Sequence, residues 1–189
     1  MTKSLRWTSA DLETLPDDGK RYEIIDGELF VSKQPHYNHQ RTCTRLATRL
    51  EIWSNESKAG EVTQAPGLIF AEDDDVAPDI VWVSKERLES VLGADGKLHA
   101  APELIIEVLS PGRSNEQRDR EAKLALYSRR AVEEYWIADW RERQFEVYRR
   151  EGDELRLTAI FQEGDTLESP LLPGFSCLIA ELFDGMSSG

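Results

Sequence analysis

The sequence has few cysteines, no long apolar run and no excess of basic residues. Its two cysteines, Cys43 and Cys177, lie far apart in unrelated patterns, so they give no sign of a disulfide framework or a zinc site. No stretch approaches the roughly 18 apolar residues of a membrane span, and the N-terminus lacks the apolar core of a secretory signal. We therefore expect a cytoplasmic protein without a membrane partner.

The net charge of −13 argues against a nucleic-acid partner, because Lys and Arg contacts to phosphate usually dominate such binding. The acidic residues are unevenly distributed, however. Residues 51–110 contain 13 acidic and 4 basic side chains, and residues 151–189 contain 8 and 1. The remaining segments are slightly basic. The acidic run at residues 72–75 lacks the spacing of a calcium-binding loop, so we predict a solvated loop there.

The first third of the chain predicts a hairpin followed by a helix. Asp26-Gly27 separates two alternating apolar runs in residues 22–31, which is the short-range signal for a tight hairpin. In residues 38–54 an apolar stripe and a row of arginines recur at helical spacing on neighbouring faces: Cys43, Leu46, Leu50 and Trp53, and Arg41, Arg45 and Arg49. We expect the arginine row to face solvent, with phosphate contact as the alternative.

The remaining pattern predicts a mixed α/β (α+β) fold. A length of 189 residues supports one such domain and hardly two. The run at residues 103–110 is apolar on both faces, as in a central strand that is covered on two sides. Three strands are predicted at residues 61–70, 78–84 and 103–110. A helix at residues 115–130, a strand at 134–138, a hairpin at 144–160 and a short helix at 179–183 follow.

Two acidic residues stand where strands are predicted. Glu107 lies inside the apolar strand, where an ionised carboxylate is costly unless a cation or hydrogen-bond donors compensate it. Asp79 opens the preceding strand, although Asp is a poor strand former. Two acids on neighbouring strands can share a divalent cation, and oxygen ligands of this kind suit Mg²⁺ or Mn²⁺ better than zinc. The alternatives are that Asp79 caps local backbone amides and that Glu107 forms a structural ion pair.

Six short motifs occur in an order that resembles a known family. They are YEIIDGEL, APDIVWVS, PELIIEVLSPG, a helix that carries Asp119, Lys123 and Tyr127 at four-residue intervals, EEYWIAD and LLPGF. This succession is similar to the Uma-type putative restriction endonucleases of the PD-(D/E)XK nuclease superfamily. The resemblance spans residues 22–183. It implies one restriction-endonuclease-like domain over residues 1–189, with an αβββαβ core, a mixed sheet flanked by helices, an N-terminal hairpin and a C-terminal hairpin extension.

The resemblance also implies roles for the central residues. Asp79 and Glu107 would be metal ligands and catalytic residues, and the backbone carbonyl of Val108 would be a third ligand. The lysine of the superfamily motif is expected two residues after the acid, but Leu109 stands there. In this branch the lysine is thought to have moved to the following helix, which makes Lys123 the candidate that acts on the attacking water and the developing charge. The alternative is an ordinary surface pair of Lys123 with Asp119.

More peripheral positions have less specific expectations. Glu23 matches the first acidic position of the family, which implies a catalytic residue that holds a metal-bound water or a second cation; the alternative is an exposed strand glutamate. His36 and His39 precede or begin the first long helix, where polar residues can face the site, and either could simply cap the helix. Ser110 and Arg113 follow Glu107 and could contact a phosphate of the substrate, and we include His39 among these candidate substrate-binding residues.

We therefore expect a Mg²⁺-dependent (or Mn²⁺-dependent) endodeoxyribonuclease that hydrolyses DNA phosphodiester bonds. A homodimer is expected because one small module has one site and cuts one strand. Two alternatives stay open. Leu109 in the lysine position and the net charge of −13 fit a catalytically inactive interaction module that retains the fold. A metal-dependent hydrolase of RNA or nucleotides is the other.

Overall fold

A computed structural model describes residues 6–186 of the chain. The ends of the expected domain, residues 1–5 and 187–189, lie outside the described part. Within it, no helix combines the length and the apolar character needed to cross a membrane. In chain order the elements are α1 (Ser9–Leu12), β1 (Arg21–Ile25), β2 (Glu28–Ser32), α2 (Tyr37–Ser57), β3 (Gly60–Gln64), β4 (Leu68–Ala71), β5 (Asp74–Val76), β6 (Ile80–Ser84), α3 (Lys85–Val91), β7 (Leu104–Val108), α4 (Arg113–Gln117), a π-helical segment (Arg118–Lys123), α5 (Leu124–Arg129), β8 (Glu134–Asp139), β9 (Gln144–Glu151), β10 (Glu154–Phe161), β11 (Thr166–Glu168), β12 (Ser176–Leu178) and α6 (Ile179–Phe183).

The main sheet has six strands in the order β10-β9-β8-β7-β6-β3. Strands β7 and β8 are parallel and the other neighbours are antiparallel, so the sheet is mixed. A second sheet has the order β2-β1-β5-β4, and β11 pairs with β12. The predicted mixed sheet with flanking helices and hairpin extensions is therefore confirmed.

Strand β7 is buried on both faces, and its alternation decides where Glu107 points. Leu104, Ile106 and Val108 join the apolar core beneath helix α2. Ile105 and Leu109 join the core on the opposite side, together with residues of α5. Because successive side chains of a strand point to opposite faces, Glu107 shares the face of Ile105 and Leu109. The acid therefore lies under the helix that runs from residue 113 to residue 129.

The N-terminal hairpin is present as predicted. Arg21–Ile25 pairs with Glu28–Ser32, and the two turn residues Asp26 and Gly27 have φ angles of 55° and 73°. Positive φ at both central residues is the requirement of the turn that matches strand twist, which explains the Asp-Gly pair. Strand β1 also pairs with β5, so the hairpin is attached to the second sheet.

The arginine row of α2 is partly exposed, as expected, but its donors are taken up by contacts within the protein. Arg41 donates a hydrogen bond to the carbonyl of Gly185 at 3.3 Å, and Arg45 donates to the carbonyls of Leu182 and Asp184 at 3.2 and 2.8 Å. Arg49 forms a 2.6 Å ion pair with Glu181. The row instead holds the C-terminal helix α6 against α2.

The single strand predicted at residues 61–70 is wrong, because two strands occur there. Strands β3 and β4 are separated by Ala65-Pro66-Gly67, where Ala65 has a φ of 48°, and they belong to different sheets. Pro66 lacks a backbone N–H and restricts the residue before it, which opposes a continuous ladder. The short helix α3 has no clear signal in the sequence.

The solvated loop expected at residues 72–75 is also wrong. Asp74 and Asp75 are buried in strand β5, whereas Glu72 is exposed. Asp74 accepts hydrogen bonds from Arg129 at 2.8 Å and from Arg130 at 2.6 Å, and its Oδ1 also accepts from the backbone N–H of Asp26. One carboxylate therefore joins the hairpin, β5 and the end of α5.

We predict that Asp74→Ala lowers the free energy of unfolding by about 2–4 kcal/mol, because it leaves two arginines and a backbone donor without their acceptor. Glu72→Ala, in the same acidic run but exposed, should change it by less than about 0.5 kcal/mol. Urea denaturation of both variants measures the difference. Equal stabilities for the two variants would show that the buried ion pairs contribute nothing measurable.

Candidate metal and active site

A cavity of about 200 Å³ opens where β6 begins and β7 ends. Asp79 and Glu107 both line it. Four basic residues also line it: Lys20, Arg21, Lys33 and the buried Arg118. The lining therefore has more basic than acidic residues, unlike the chain as a whole.

Asp79 is buried and fully engaged by donors. Its Oδ2 accepts a 2.9 Å hydrogen bond from the backbone N–H of Val108 and lies 3.1 Å from Nε2 of His39, and its Oδ1 accepts from Arg21 at 3.0 Å. Burial alone would raise the pKa of Asp79, but the hydrogen bond and charge of His39, with the charge of Arg21, hold it well below its usual range. Asp79 is therefore ionised and oriented toward the end of β7.

His39 links Asp79 to a buried thiol. Its Nδ1 lies 3.7 Å from Sγ of Cys43, on the side of the ring opposite the contact with Asp79. Ligand atoms of these three residues lie within 4.8 Å of one another, which makes them a possible metal-binding group. However, the two ring nitrogens face different partners, and burial raises the pKa of Cys43 far above its usual value. Because thiolate is the metal-binding form, we interpret the group as a hydrogen-bonded chain that orients Asp79.

Glu107 has the opposite surroundings. Its Oε1 accepts hydrogen bonds from Nζ of Lys123 at 2.8 Å and from the hydroxyl of Tyr127 at 2.9 Å. Within residues 6–186, no hydrogen bond reaches Oε2, so this oxygen is left for a ligand in the cavity. Burial raises the pKa of Glu107 to about 8; the charge of Lys123 opposes this effect, and the neighbouring acids Asp79 and Asp119 add to it.

Lys123 has no solvent exposure and lies among three carboxylates. Its Nζ is 2.8 Å from Glu107, 2.9 Å from Glu23 and 4.0 Å from Asp119. Burial alone would lower the pKa of Lys123, but the charges of the three acids raise it above its ordinary value. Lys123 is therefore held as an ammonium ion, and the interpretation as a surface pair with Asp119 is wrong.

Glu23 and Arg118 complete the cluster. Glu23 is buried, accepts a hydrogen bond from the backbone of Ala77 at 3.0 Å, and lies 3.9 Å from Arg118. Burial alone would raise the pKa of Glu23, but the charges of Lys123 and Arg118 lower it. Three acids therefore surround two cations, Lys123 and Arg118, and Glu107 is the acid whose raised pKa lets it hold a proton when no metal is bound.

The π-helical segment supplies three of these residues. Arg118, Asp119 and Lys123 are buried within it, and Tyr127 follows one turn later in α5. Arg118 also donates to Asp119 at 2.8 Å and to the hydroxyl of Ser32 in β2. A π-helical turn inserts extra backbone into an α-helix and is frequent at functional sites. Here it lets consecutive residues, Arg118 and Asp119, both face the cluster.

Most of the sequence-predicted residues meet in this region. Asp79, Glu107, His39 and Ser110 line the cavity, and Val108 contacts Asp79 through its N–H rather than its carbonyl. Lys123, which contacts Glu107, and Glu23, which contacts Lys123, do not line the cavity. Arg113 is exposed at the start of α4 and does not line the cavity. Leu109, in the position of the expected motif lysine, lies in the apolar core.

Sequence reasoning missed Arg21 and Arg118. Arg21 precedes the apolar part of the hairpin strand, and Arg118 precedes the helical row of Asp119, Lys123 and Tyr127. Neither position carries a periodic signal, because the contact of each with its acid depends on how the hairpin and the helix meet the main sheet. The carboxyl groups of Asp79 and Glu107, which line the cavity, are the oxygen ligands that a hard divalent cation prefers.

Comparisons with known proteins agree with this fold. The family model described as "Uma2: Putative restriction endonuclease" matches residues 9–180. No curated protein sequence matches the chain. Among solved structures, the chain is similar to a putative nuclease belonging to DUF820 from Anabaena variabilis ATCC 29413, with a TM-score of 0.74 and 18% identity over 93% of this chain and 97% of that chain.

We predict that the metal-free protein loses stability as pH rises from about 5 to about 8. An unfolded glutamate titrates near 4.5, whereas folded Glu107 holds its proton up to about 8. Between these values the folded state binds more protons than the unfolded chain, so the free energy of unfolding falls with pH. Glu107→Gln cannot titrate and should be about 1–3 kcal/mol more stable than wild type at pH 8.

Urea denaturation in chelator across this pH range measures the effect. Glu133→Gln, at an exposed acid just before β8, is the control and should follow the wild-type curve. If the free energy of unfolding depends on pH in the same way for wild type and Glu107→Gln, the prediction of a protonated Glu107 is contradicted.

Proposed function

Because the chain belongs to the Uma2 family of putative restriction endonucleases, we propose that it is a nuclease that hydrolyses DNA phosphodiester bonds with Mg²⁺ or Mn²⁺. The observation that carries the proposal is the buried ammonium of Lys123, 2.8 Å from a carboxylate that lines a cavity shared with Asp79. This contact supplies the positive group that the motif lacks at Leu109. It favours an active site over a fold that has lost its chemistry.

Asp79, Oε2 of Glu107 and the backbone carbonyl of Val108 would hold the metal. A divalent cation supplies Lewis-acid stabilisation of the negative charge that develops on the phosphoryl oxygens. Asp79 is suited to this role because His39 and the N–H of Val108 fix its orientation. Arg21, which contacts Oδ1 of Asp79 and is partly exposed, can transfer its hydrogen bonds to a phosphate oxygen.

Lys123 contributes positive charge beside Glu107. Its raised pKa keeps it protonated, so stabilisation of a developing anion is favoured over removal of a proton from water. Glu23 holds the ammonium from the other side at 2.9 Å and thereby limits its movement. Glu23 is thus a positioning residue for Lys123.

The basic residues that line the cavity make it more favourable for a phosphate than the net charge of the chain suggests. Lys33, which is exposed, and Arg21, which is partly exposed, line the cavity and supply positive charge for a phosphate that enters it. We further propose that the chain is one domain and acts as a homodimer, since one site cuts one strand.

We predict metal-dependent cleavage of supercoiled, linear or single-stranded DNA in Mg²⁺ or Mn²⁺, with none in chelator. Asp79→Asn and Glu107→Gln should each reduce the rate by at least about 100-fold, because a neutral amide is a weak ligand for a hard cation. Agarose gel assays measure the rate, and circular dichroism checks the fold. Cleavage that both variants retain would come from another site or a contaminant.

Lys123→Ala should lose about 100-fold or more in cleavage rate while it retains metal binding, as expected of a group that acts mainly in the transition state. Lys123→Gln, which keeps polar donors but no charge, should be equally slow, and Lys123→Arg should rescue little. Lys85→Ala, at an exposed lysine outside the cavity, is the control. Calorimetry of Mg²⁺ binding accompanies the kinetics. Full activity in Lys123→Gln would make the lysine purely structural.

A further inference from the structure

A second cavity, of about 510 Å³, adjoins the candidate active site. The two share four lining residues, Ser32, Lys33, Gln34 and Ser110, so they form one continuous groove. Its volume lies within the roughly 300–1,000 Å³ that is usual for small-molecule sites. A group bound in the second cavity would therefore be a direct neighbour of a group bound at Asp79 and Glu107.

An aromatic ring forms one wall of this second cavity. His36 lines the cavity and is exposed, and it stacks on Trp140 with ring centroids 4.8 Å apart and an interplanar angle of 9°. Trp140 is buried and donates a 3.1 Å hydrogen bond to the carbonyl of Leu109. Because Trp140 covers one face of the imidazole, the exposed surface of His36 is its other face and its edge.

The ring of His36 is also fixed in its plane. Its Nδ1 accepts a 3.1 Å hydrogen bond from the N–H of Asn38, which caps the start of α2. Held by the cap and by Trp140, the ring cannot turn freely. A rigid aromatic face loses little conformational entropy when another ring stacks on it.

The rest of the lining is polar and mostly uncharged. Hydroxyl and amide side chains predominate, and Lys33 is the one charged side chain among the lining residues, which also include Ser114 and Asn115. Asn115 is positioned by a 2.9 Å hydrogen bond from its Nδ2 to the carbonyl of Pro111. Amide side chains form hydrogen bonds with the edges of nucleobases, whereas phosphates are bound chiefly by cations. This lining therefore suits a base better than a phosphate.

We propose that the second cavity binds an unpaired nucleobase next to the scissile phosphate, stacked on His36. This rests on the proposed function, because the adjoining cavity is where the phosphate would be held. A paired base has both faces covered by its neighbours in the duplex, so the subsite requires single-stranded or locally opened DNA. The substrate class is accordingly DNA with an unpaired base beside the cleaved bond.

The test compares two oligonucleotides of equal charge in chelator, so that no cleavage occurs. One is an oligothymidylate of about 12 nucleotides, and the other is an abasic backbone of the same length. Fluorescence anisotropy measures their affinities. Wild type should bind the oligomer with bases about tenfold more tightly or better, since each stacked base contributes substantially to affinity.

Two substitutions separate stacking from helix capping. His36→Asn keeps a good capping acceptor but removes the ring, and it should abolish the preference for bases. His36→Phe keeps the aromatic face without the acceptor and should retain the preference. Tyr37→Ala is the control, because Tyr37 is an exposed neighbouring aromatic residue outside the cavity lining and should not affect the preference.

Equal affinity of wild type for the two oligomers, or no binding of either, overturns the subsite. So does a preference that survives in His36→Asn or disappears in His36→Phe. These outcomes are independent of cleavage. If the protein prefers bases through His36 but cuts no DNA in Mg²⁺ or Mn²⁺, the subsite proposal holds and the nuclease proposal is wrong.

Discussion

The buried ammonium of Lys123 is the interaction on which the candidate site depends. It lies 2.8 Å from Glu107 and 2.9 Å from Glu23 with no access to water. Three acids that approach this closely in an apolar core would repel each other strongly without a cation between them. Lys123 and Arg118 balance that charge, and the raised pKa of Glu107 lets this acid hold a proton in the metal-free protein.

The surrounding architecture brings this cluster together from distant parts of the chain. Glu23 comes from the N-terminal hairpin, Glu107 from a strand of the main sheet that is buried at every residue, and Lys123 from the helix that covers that strand. The π-helical segment lets adjacent residues of the helix face the acids, and Asp74 attaches the hairpin sheet to the end of the same helix. Electrostatics and tertiary packing are thus coupled, because neither Glu23 nor Lys123 could be buried alone at acceptable cost.

The acids were predictable because they violate the pattern of their surroundings. An acid within LIIEV, and an aspartate that opens an otherwise apolar strand, stand out without any knowledge of the fold. Lys123 was a candidate for another reason, because the resemblance to the Uma-type family implies a lysine on the helix that follows Glu107. The prediction failed where a local pattern was misleading. The acidic run at residues 72–75 resembles a surface loop, yet Asp74 is buried because Arg129 and Arg130, at the end of α5, donate hydrogen bonds to it.

By itself, the sequence determined the mixed α/β class, the hairpin turn at Asp26-Gly27, and two acids and a lysine as candidate site residues. The class, the turn and the acids follow from local rules of periodicity, turn conformation and charge burial, whereas the lysine follows from the resemblance to the family. The tertiary structure alone decided that Glu23 contacts Lys123, that Arg21 contacts Asp79, and that His36 stacks on Trp140 beside the cavity. Each pair is separated by many residues, and its contact depends on how strands and helices pack. No local pattern encodes that packing, because it results from the summed burial of the whole core.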